Sequence, residues 1–187
     1  MLAPFRIEPV AMGREHVFQP LARDLAFERD VGPLASGRFD APDVLAVRRR
    51  GRTDDVEVTV VAALAEEVAA GAGIVSSPAV LLAGGECTVT VTDEPGKGGP
   101  NQEFVLSAGL GLQEEAVVAA IDADGEDGSS EYAGAILESG AIEETERASA
   151  HLGSNDAGSY LEAAGATILT GPTGTNVNDI IVVVIPE

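Results

Sequence analysis

The chain has 187 residues, which is enough for one ordinary domain with a hydrophobic core. Its formal net charge is −20, from 31 acidic residues against 11 basic ones, and Lys97 is the only lysine. Such a surface is typical of a halophilic protein that stays hydrated in molar salt, and it makes nucleic acid and anionic membranes poor partners.

The sequence shows no pattern for export or membrane insertion. Residues 1–25 lack the basic start and continuous apolar stretch of a signal peptide, and no later segment is long and apolar enough to span a bilayer. Cys87 is the only cysteine, which excludes an intramolecular disulfide. We therefore expect a cytoplasmic protein in which Cys87 is a small core residue.

The first part of the chain differs from the rest in charge and in pattern. Residues 1–75 carry 12 acidic residues and 9 arginines, whereas residues 76–187 carry 19 acidic residues and 2 basic ones. Residues 1–52 contain five prolines, a run of arginines at 48–50 and little periodicity. We interpret this part as a weakly structured Arg- and Pro-rich arm, and its arginine run as a solvated strand end or linker in preference to a phosphate site.

Regular elements are predicted from residue 53 onward. Apolar residues at three- and four-residue spacing predict a helix over 54–70. A short apolar run predicts a strand over 79–83, and alternation of polar and apolar residues predicts a second strand over 86–92. Only Gly84 and Gly85 separate these strands, and so short a connection can join only antiparallel strands. We therefore expect a mixed sheet instead of a wholly parallel one.

A glycine loop, residues 96–99, precedes the next predicted helix, 101–112, with Pro100 near its first turn. Free N–H groups at a helix start favour phosphate or carboxylate, and Lys97 adds positive charge. The loop is not a Walker motif, because Gly98 stands where that motif needs Ser or Thr after the lysine.

An acidic loop follows the next predicted strand, 117–121. It places four carboxylates within residues 122–127, at the strand end where open α/β sheets bind ligands. Two interpretations stay open, a divalent cation site and a solvated acidic loop. A calcium EF-hand is excluded, because the sixth position counted from Asp122 holds Asp127 where glycine is required.

The remaining predicted elements are helices over 141–151 and 157–164 and a strand over 180–185, the last preceded by a turn-rich polar loop. The sequence does not favour a Ser-His-Asp hydrolase, because His16 and His151 are the only histidines and neither lies in a nucleophile motif. The predicted fold class is α/β: a small mixed-sheet domain with helices packed on it over residues 53–187, preceded by the weakly structured arm over 1–52.

Five sequence blocks carry a resemblance to a known family. They are LAGGE at 82–86, GGPNQE at 98–103, DGEDG at 124–128, SND at 154–156 and TGPTGTNVND at 170–179. In this order they resemble the MOFRL domain, the C-terminal domain of ATP-dependent glycerate 2-kinases, some of which are labelled hydroxypyruvate reductase. The resemblance covers residues 55–187.

The resemblance implies an activity and a set of site residues. Family members transfer a phosphoryl group from Mg-ATP to a hydroxyl of D-glycerate, in a cleft between this domain and a larger N-terminal nucleotide domain. The implied cofactors are therefore Mg²⁺ and ATP, with Asp124 and Asp127 as candidate Mg²⁺ ligands. The implied substrate-binding residues are Glu86, Lys97, Asn101, Gln102, Glu103, Thr173, Thr175 and Asn176, and no catalytic residue is assigned.

Two departures from the family pattern lead to three hypotheses. Pro100 stands where the family has arginine, so the positive charge of that side chain is lost. One charge-assisted contact made in the transition state contributes about 2–4 kcal/mol. The nucleotide domain has no counterpart in residues 1–52. The chain is then half of a split kinase whose partner chain carries the nucleotide domain, a non-catalytic module that binds a small acid, or the remnant of a disrupted gene.

Overall fold

The computed structural model describes residues 25–30, 43–49, 56–72 and 75–187, with side chains described from residue 61 onward. Its elements in chain order are β1 (Leu25–Asp30), β2 (Asp43–Arg49), α1 (Val56–Ala69), β3 (Ala79–Gly85), α2 (Pro100–Gly111), β4 (Val117–Asp122), β5 (Gly134–Glu138), α3 (Thr145–Gly153), α4 (Ala157–Ala163), β6 (Thr167–Ile168) and β7 (Asp179–Ile185).

The strands form one sheet in the order β1-β2-β3-β7-β4-β5-β6. β2 and β3 pair parallel, and every other neighbouring pair is antiparallel. The prediction of a small mixed sheet with helices packed on it is therefore confirmed. β7, the most apolar strand of the chain, lies at the centre of the sheet between β3 and β4.

The hydrophobic core lies between one face of the sheet and the helices. Alternate residues of the central strands point into it, as Leu81, Val183 and Val118 do, with exposed fractions of 2%, 1% and 0%. The helices contribute buried side chains such as Val68 and Leu161 to the same cluster.

The predicted strand over 86–92 is wrong, because these residues follow β3 as irregular chain. Two of their N–H groups donate to side chains that are distant in sequence. The N–H of Cys87 donates to the carboxylate of Asp179, and the N–H of Thr92 donates to Asn155 Oδ1 at 2.8 Å. Cys87 itself is half-buried and packs against the core, as predicted.

Five of the other elements differ from the prediction. The helix predicted over 141–151 begins later, at Thr145, and β5 and the two-residue β6 were not predicted. The sequence also gave no signal for β1 and β2, which lie within residues 1–52 and extend the sheet next to β3. The rest of residues 1–52 lies outside the described residues, so the division at residue 52 stays a prediction.

Candidate functional site

One edge of the sheet collects the loops that the sequence singled out. β3 and β4 end at this edge and β7 begins there, since Asp179 pairs in register with both Gly85 and Asp122. The segment after β3, the acidic loop after β4 and the polar loop of residues 170–178 therefore meet. α2 begins beside them, because its first residues bond to the acidic loop.

The start of α2 is capped by a carboxylate from elsewhere in the chain. Asp127 Oδ1 accepts the N–H of Asn101 at 3.0 Å, and Asp127 Oδ2 accepts the N–H of Gln102 at 2.8 Å. Gly99 permits this approach, since a Cβ there would lie 2.5 Å from Asp127 Oδ1. The start of α2 does attract an anion, as its dipole predicts, but the anion is Asp127 itself.

Asn101 and Gln102 have exposed fractions of 1% and 0%, and both bond within the protein. The amide nitrogen of Asn101 donates to Asp127 Oδ1 at 3.2 Å and to Asp179 Oδ1 at 2.7 Å. The amide nitrogen of Gln102 donates to Ser130 Oγ at 2.7 Å. The structure thus places these two predicted substrate-binding residues behind the surface of the site.

Burial changes the acidity of the capping carboxylate. Removal of Asp127 from water raises its pKa to about 6, with a further upward contribution from the nearby Asp179. The donors at Asn101 and Gln102 favour the charged form and oppose that rise. The pKa of Asp122, at the end of β4, is also raised, by desolvation and by the neighbouring carboxylates.

The loop of residues 170–178 packs on the acidic loop and faces outward. The amide nitrogen of Asn176 donates to Asp124 Oδ2 at 3.2 Å, and the N–H of Thr173 donates to the carbonyl oxygen of Asp124 at 3.0 Å. The hydroxyl of Thr173 donates to the carbonyl oxygen of Ala123. Residues 172–178 are all exposed, so Thr173, Thr175 and Asn176 lie where a ligand can reach them.

A groove of about 350 Å³ runs between the segment after β3 and the glycine loop. Cys87 and Val89 line one side, and Pro100 lines the other. Asn155 also lines it, and its amide nitrogen donates to Glu103 Oε1 at 2.8 Å. Among the described residues of this lining, Glu103 is the only charged side chain, so this part of the chain places no cation in the groove.

Lys97, the predicted cation of the site, is paired elsewhere. Its amino group lies 2.7 Å from Glu162 Oε2 on α4 and 4.8 Å from the centre of the Tyr132 ring. The hydroxyl of Tyr132 donates to the same glutamate at 2.9 Å. These contacts raise the pKa of Lys97, chiefly through the hydrogen bond to Glu162. Glu86, by contrast, is exposed on the segment after β3.

The two candidate Mg²⁺ ligands are engaged with the chain itself. Both oxygens of Asp127 accept N–H groups of α2, and its exposed fraction is 1%. Asp124 accepts the N–H of Glu126 at 3.0 Å through Oδ1 and the amide of Asn176 through Oδ2. Across the described ranges, no three His, Cys, Asp or Glu side chains are grouped to hold a metal ion. This donor set does not fit a Mg²⁺ ion held jointly by Asp124 and Asp127.

Comparison with known proteins gives the family of this chain. The MOFRL family model matches residues 79–179, more than half of the chain. The chain belongs to the MOFRL family. The matched region runs from β3 to the first residue of β7, so this MOFRL domain contains every loop described at the sheet edge.

No helix of the described part of the chain is long and apolar enough to cross a membrane.

Similar proteins are named as glycerate kinases. The chain is 35% identical to a glycerate 2-kinase of Pyrococcus horikoshii over 130 residues, 67% of this chain and 30% of that protein. It is 41% identical to a D-glycerate 2-kinase of Thermotoga maritima over 112 residues, 56% of this chain and 26% of that protein. A crystal structure of glycerate kinase from T. maritima superposes with a TM-score of 0.70 at 32% identity, covering 76% of this chain and 36% of that one. The chain thus covers between 26% and 36% of the length of these relatives.

Sequence reasoning missed two residues of the site. Asp179 was read as the end of a loop, and its role depends on contacts with Asn101 and Cys87 that lie far away in sequence. Asn155 lies just before α4, where the sequence alone favours the role of a helix cap. Instead its side chain holds the segment after β3, through the N–H of Thr92 and the carbonyl oxygen of Thr90. A positive φ of 51° at Asn155 fits the tolerance of asparagine for that conformation.

Proposed function

We propose that this chain is the MOFRL part of a glycerate 2-kinase, and that it transfers phosphoryl groups only together with the part of such kinases that it does not span. The proposal is supported by relatives of which the chain covers 30% and 26%. It is also supported by the five sequence blocks, which meet at one sheet edge.

The positions of the positively charged side chains indicate that activity requires a further part of the kinase. Among residues 61–187, whose described side chains form the site, Lys97 and Arg147 are the only lysine and arginine. Lys97 pairs with Glu162 at 2.7 Å and Arg147 with Glu144 at 3.4 Å. Phosphoryl transfer requires positive charge on the moving group. That charge would come from Mg-ATP and from outside residues 61–187, including the part of such kinases that the chain does not span.

The reaction would be a displacement at phosphorus. A hydroxyl oxygen of D-glycerate attacks the γ-phosphorus of ATP, and the bond between that phosphorus and the oxygen bridging to the β-phosphate breaks. ADP leaves with the bridging oxygen, 2-phosphoglycerate forms, and the hydroxyl proton is released to water. Mg²⁺ would arrive bound to ATP, whose phosphates it neutralises. We assign Thr173, Thr175 and Asn176 to contacts with substrate or phosphate, because they are exposed at the edge. Glu86 and Glu103 would order the hydroxyls of the substrate, and Asn101 and Gln102 would lie behind the loops without contacting the substrate.

The first experiment asks whether the chain is sufficient. ADP release from Mg-ATP is measured with the purified chain in molar KCl, with and without D-glycerate, and the glycerate kinase of T. maritima serves as the positive control. We expect no glycerate-dependent ADP release from a sample whose folding is verified by circular dichroism. Turnover above the blank would contradict the need for another part.

The second experiment asks whether the domain belongs to a glycerate kinase. Residues 79–179 replace the matching segment of the T. maritima enzyme, with Pro100 and with Pro100→Arg. We expect glycerate kinase activity in the Pro100→Arg chimera and about 100- to 1,000-fold less with Pro100, since one charged contact in the transition state is lost. A folded Pro100→Arg chimera without activity would overturn the proposed function and leave the small-acid binding module, tested by glycerate-dependent stabilisation of the chain.

A further inference from the structure

The side chain of Asn101 is bonded to carboxylates from two different loops. Its amide nitrogen lies 2.7 Å from Asp179 Oδ1 and 3.2 Å from Asp127 Oδ1. All three side chains are buried, with exposed fractions of 1% for Asn101 and Asp127 and 5% for Asp179. Two buried carboxylates at one site repel each other unless donors or cations stand between them. Here the donor between them is one amide nitrogen.

These bonds connect four segments of the chain. Asn101 lies in the first turn of α2, and Asp127 closes the acidic loop after β4. Asp179 is the first residue of β7 and directly follows the loop of residues 170–178. The second carboxylate oxygen of Asp179 accepts the N–H of Cys87, at the start of the segment after β3. The amide of Asn101 therefore lies at the junction of every loop that carries a candidate ligand group.

The chemistry of the junction favours asparagine over other side chains. The NH₂ group offers two donors to two acceptors, whereas a serine hydroxyl offers one and a carboxylate offers none. The amide orientation is fixed, because a flip would turn Oδ1 towards both carboxylates. Oδ1 itself has no hydrogen-bond partner among the described residues, so the bonds of this side chain come from its donors alone. Neither carboxylate takes part in an ion pair with a lysine or arginine of residues 61–187.

We propose that Asn101 is a positioning residue, whose buried amide fixes the acidic loop and the loop of residues 170–178 against the start of α2 through Asp127 and Asp179. The assignment of these loops to substrate rests on the proposed function, but the positioning role does not. Asn101 acts through the two carboxylates and touches no ligand. Loss of its donors frees both loops to move while the sheet behind them stays paired.

The test is residue-resolved amide hydrogen exchange of the full chain in molar KCl, comparing Asn101→Leu with the unchanged protein. Two amides report on the junction, the N–H of Cys87, bonded to Asp179, and the N–H of Ala123, bonded to the carbonyl oxygen of Asn178 at 3.1 Å. We expect their exchange to accelerate by about tenfold or more, with the ladder amides between β3 and β7 unchanged, because local opening does not require global unfolding.

Two further variants keep the result interpretable. Gln102→Leu removes a neighbouring buried amide that bonds to Ser130, and it should leave the exchange of Cys87 and Ala123 unchanged. Asn101→Ser keeps one donor and should give an intermediate acceleration, which also covers the case in which Asn101→Leu does not fold. Exchange that is unchanged in Asn101→Ser, or raised equally in the loops and the β3–β7 ladder, would overturn the positioning role.

The exchange experiment and the chimera experiment have independent outcomes, so either proposal can fail without the other. If the Pro100→Arg chimera is inactive but Asn101→Ser shows the local acceleration, the positioning role stands and the proposed function fails. If the chimera is active, Asn101→Ser within it should lower kcat more than it raises KM, because the loops then spend less time in the reactive arrangement. An unchanged kcat would overturn the role in the reaction.

Discussion

The start of α2 and the loop of residues 170–178 lie at the same edge of the sheet, yet they satisfy their polar groups in opposite ways. At the start of α2, the N–H groups of Asn101 and Gln102 bind the buried carboxylate of Asp127. In the loop, Thr175 and Asn176 are exposed. The site therefore has an inner layer, formed by Asn101, Gln102 and Asp127, which holds the loops together. Its outer layer, residues 172–178, is exposed and can contact a ligand.

The largest expected effect comes from removing the inner carboxylate. Asp127→Ala leaves the N–H groups of Asn101 and Gln102 without acceptors in a buried place, and we expect the free energy of unfolding to fall by about 3 kcal/mol. This loss of unfolding free energy is measured by guanidinium-induced unfolding at constant KCl concentration. The matched control is Asp124→Ala, whose half-buried carboxylate should contribute about 1 kcal/mol. Equal losses in the two variants would contradict the division into layers.

A close backbone approach gives the second effect. Gly99→Ala places a Cβ 2.4 Å from the carbonyl carbon of Asp127, and we expect a loss of about 2 kcal/mol through displacement of the acidic loop. Gly111→Ala, in the last turn of the same helix, meets nothing within 4 Å and should be neutral or slightly stabilising. The measurement is thermal unfolding of both variants in the same buffer, which compares their losses of stability. A neutral Gly99→Ala would show that Asp127 does not sit against α2.

The pH dependence of stability tests the burial of Asp127. Its folded pKa of about 6 lies above the ordinary value of 3.8, so the folded state binds more protons between these values. Stability should therefore fall as pH rises from about 4 to 6, by about 2 kcal/mol from this group. The measurement is the unfolding free energy of the unchanged chain minus that of Asp127→Asn at each pH. A difference that rises with pH over this range would have the wrong sign.

The smallest effect is expected in the outer layer. Thr175→Ala removes an exposed hydroxyl and should change the unfolding free energy by less than about 0.5 kcal/mol. In the active chimera the same change should lower kcat/KM, since the side chain is assigned to ligand contact. A loss of stability comparable to that of Asp127→Ala would place Thr175 in the inner layer.

The sequence predicted elements where a local pattern decides the structure. The apolar runs of β3 and β7 and the glycine loop before α2 are of this kind. Residues 86–92 were misread because Cys87, Val89 and Val91 alternate as in a strand, while the acceptors that replace the ladder, Asp179 and Asn155, are distant in sequence. The role of Asp127 was hidden for the same reason, since 26 residues separate it from the N–H of Asn101.

The separation of layers is tested most directly by ligand titration followed in two-dimensional ¹H–¹⁵N NMR spectra of the full chain in molar KCl. Inorganic phosphate and D-glycerate are added in turn, and the amide signals of Asn101, Gln102 and residues 173–178 are compared. The predicted result is that the signals of Asn101 and Gln102 stay fixed and that any shifts fall within residues 173–178. Shifts of Asn101 and Gln102 together would mean that the ligand displaces Asp127 from α2, and would contradict the account.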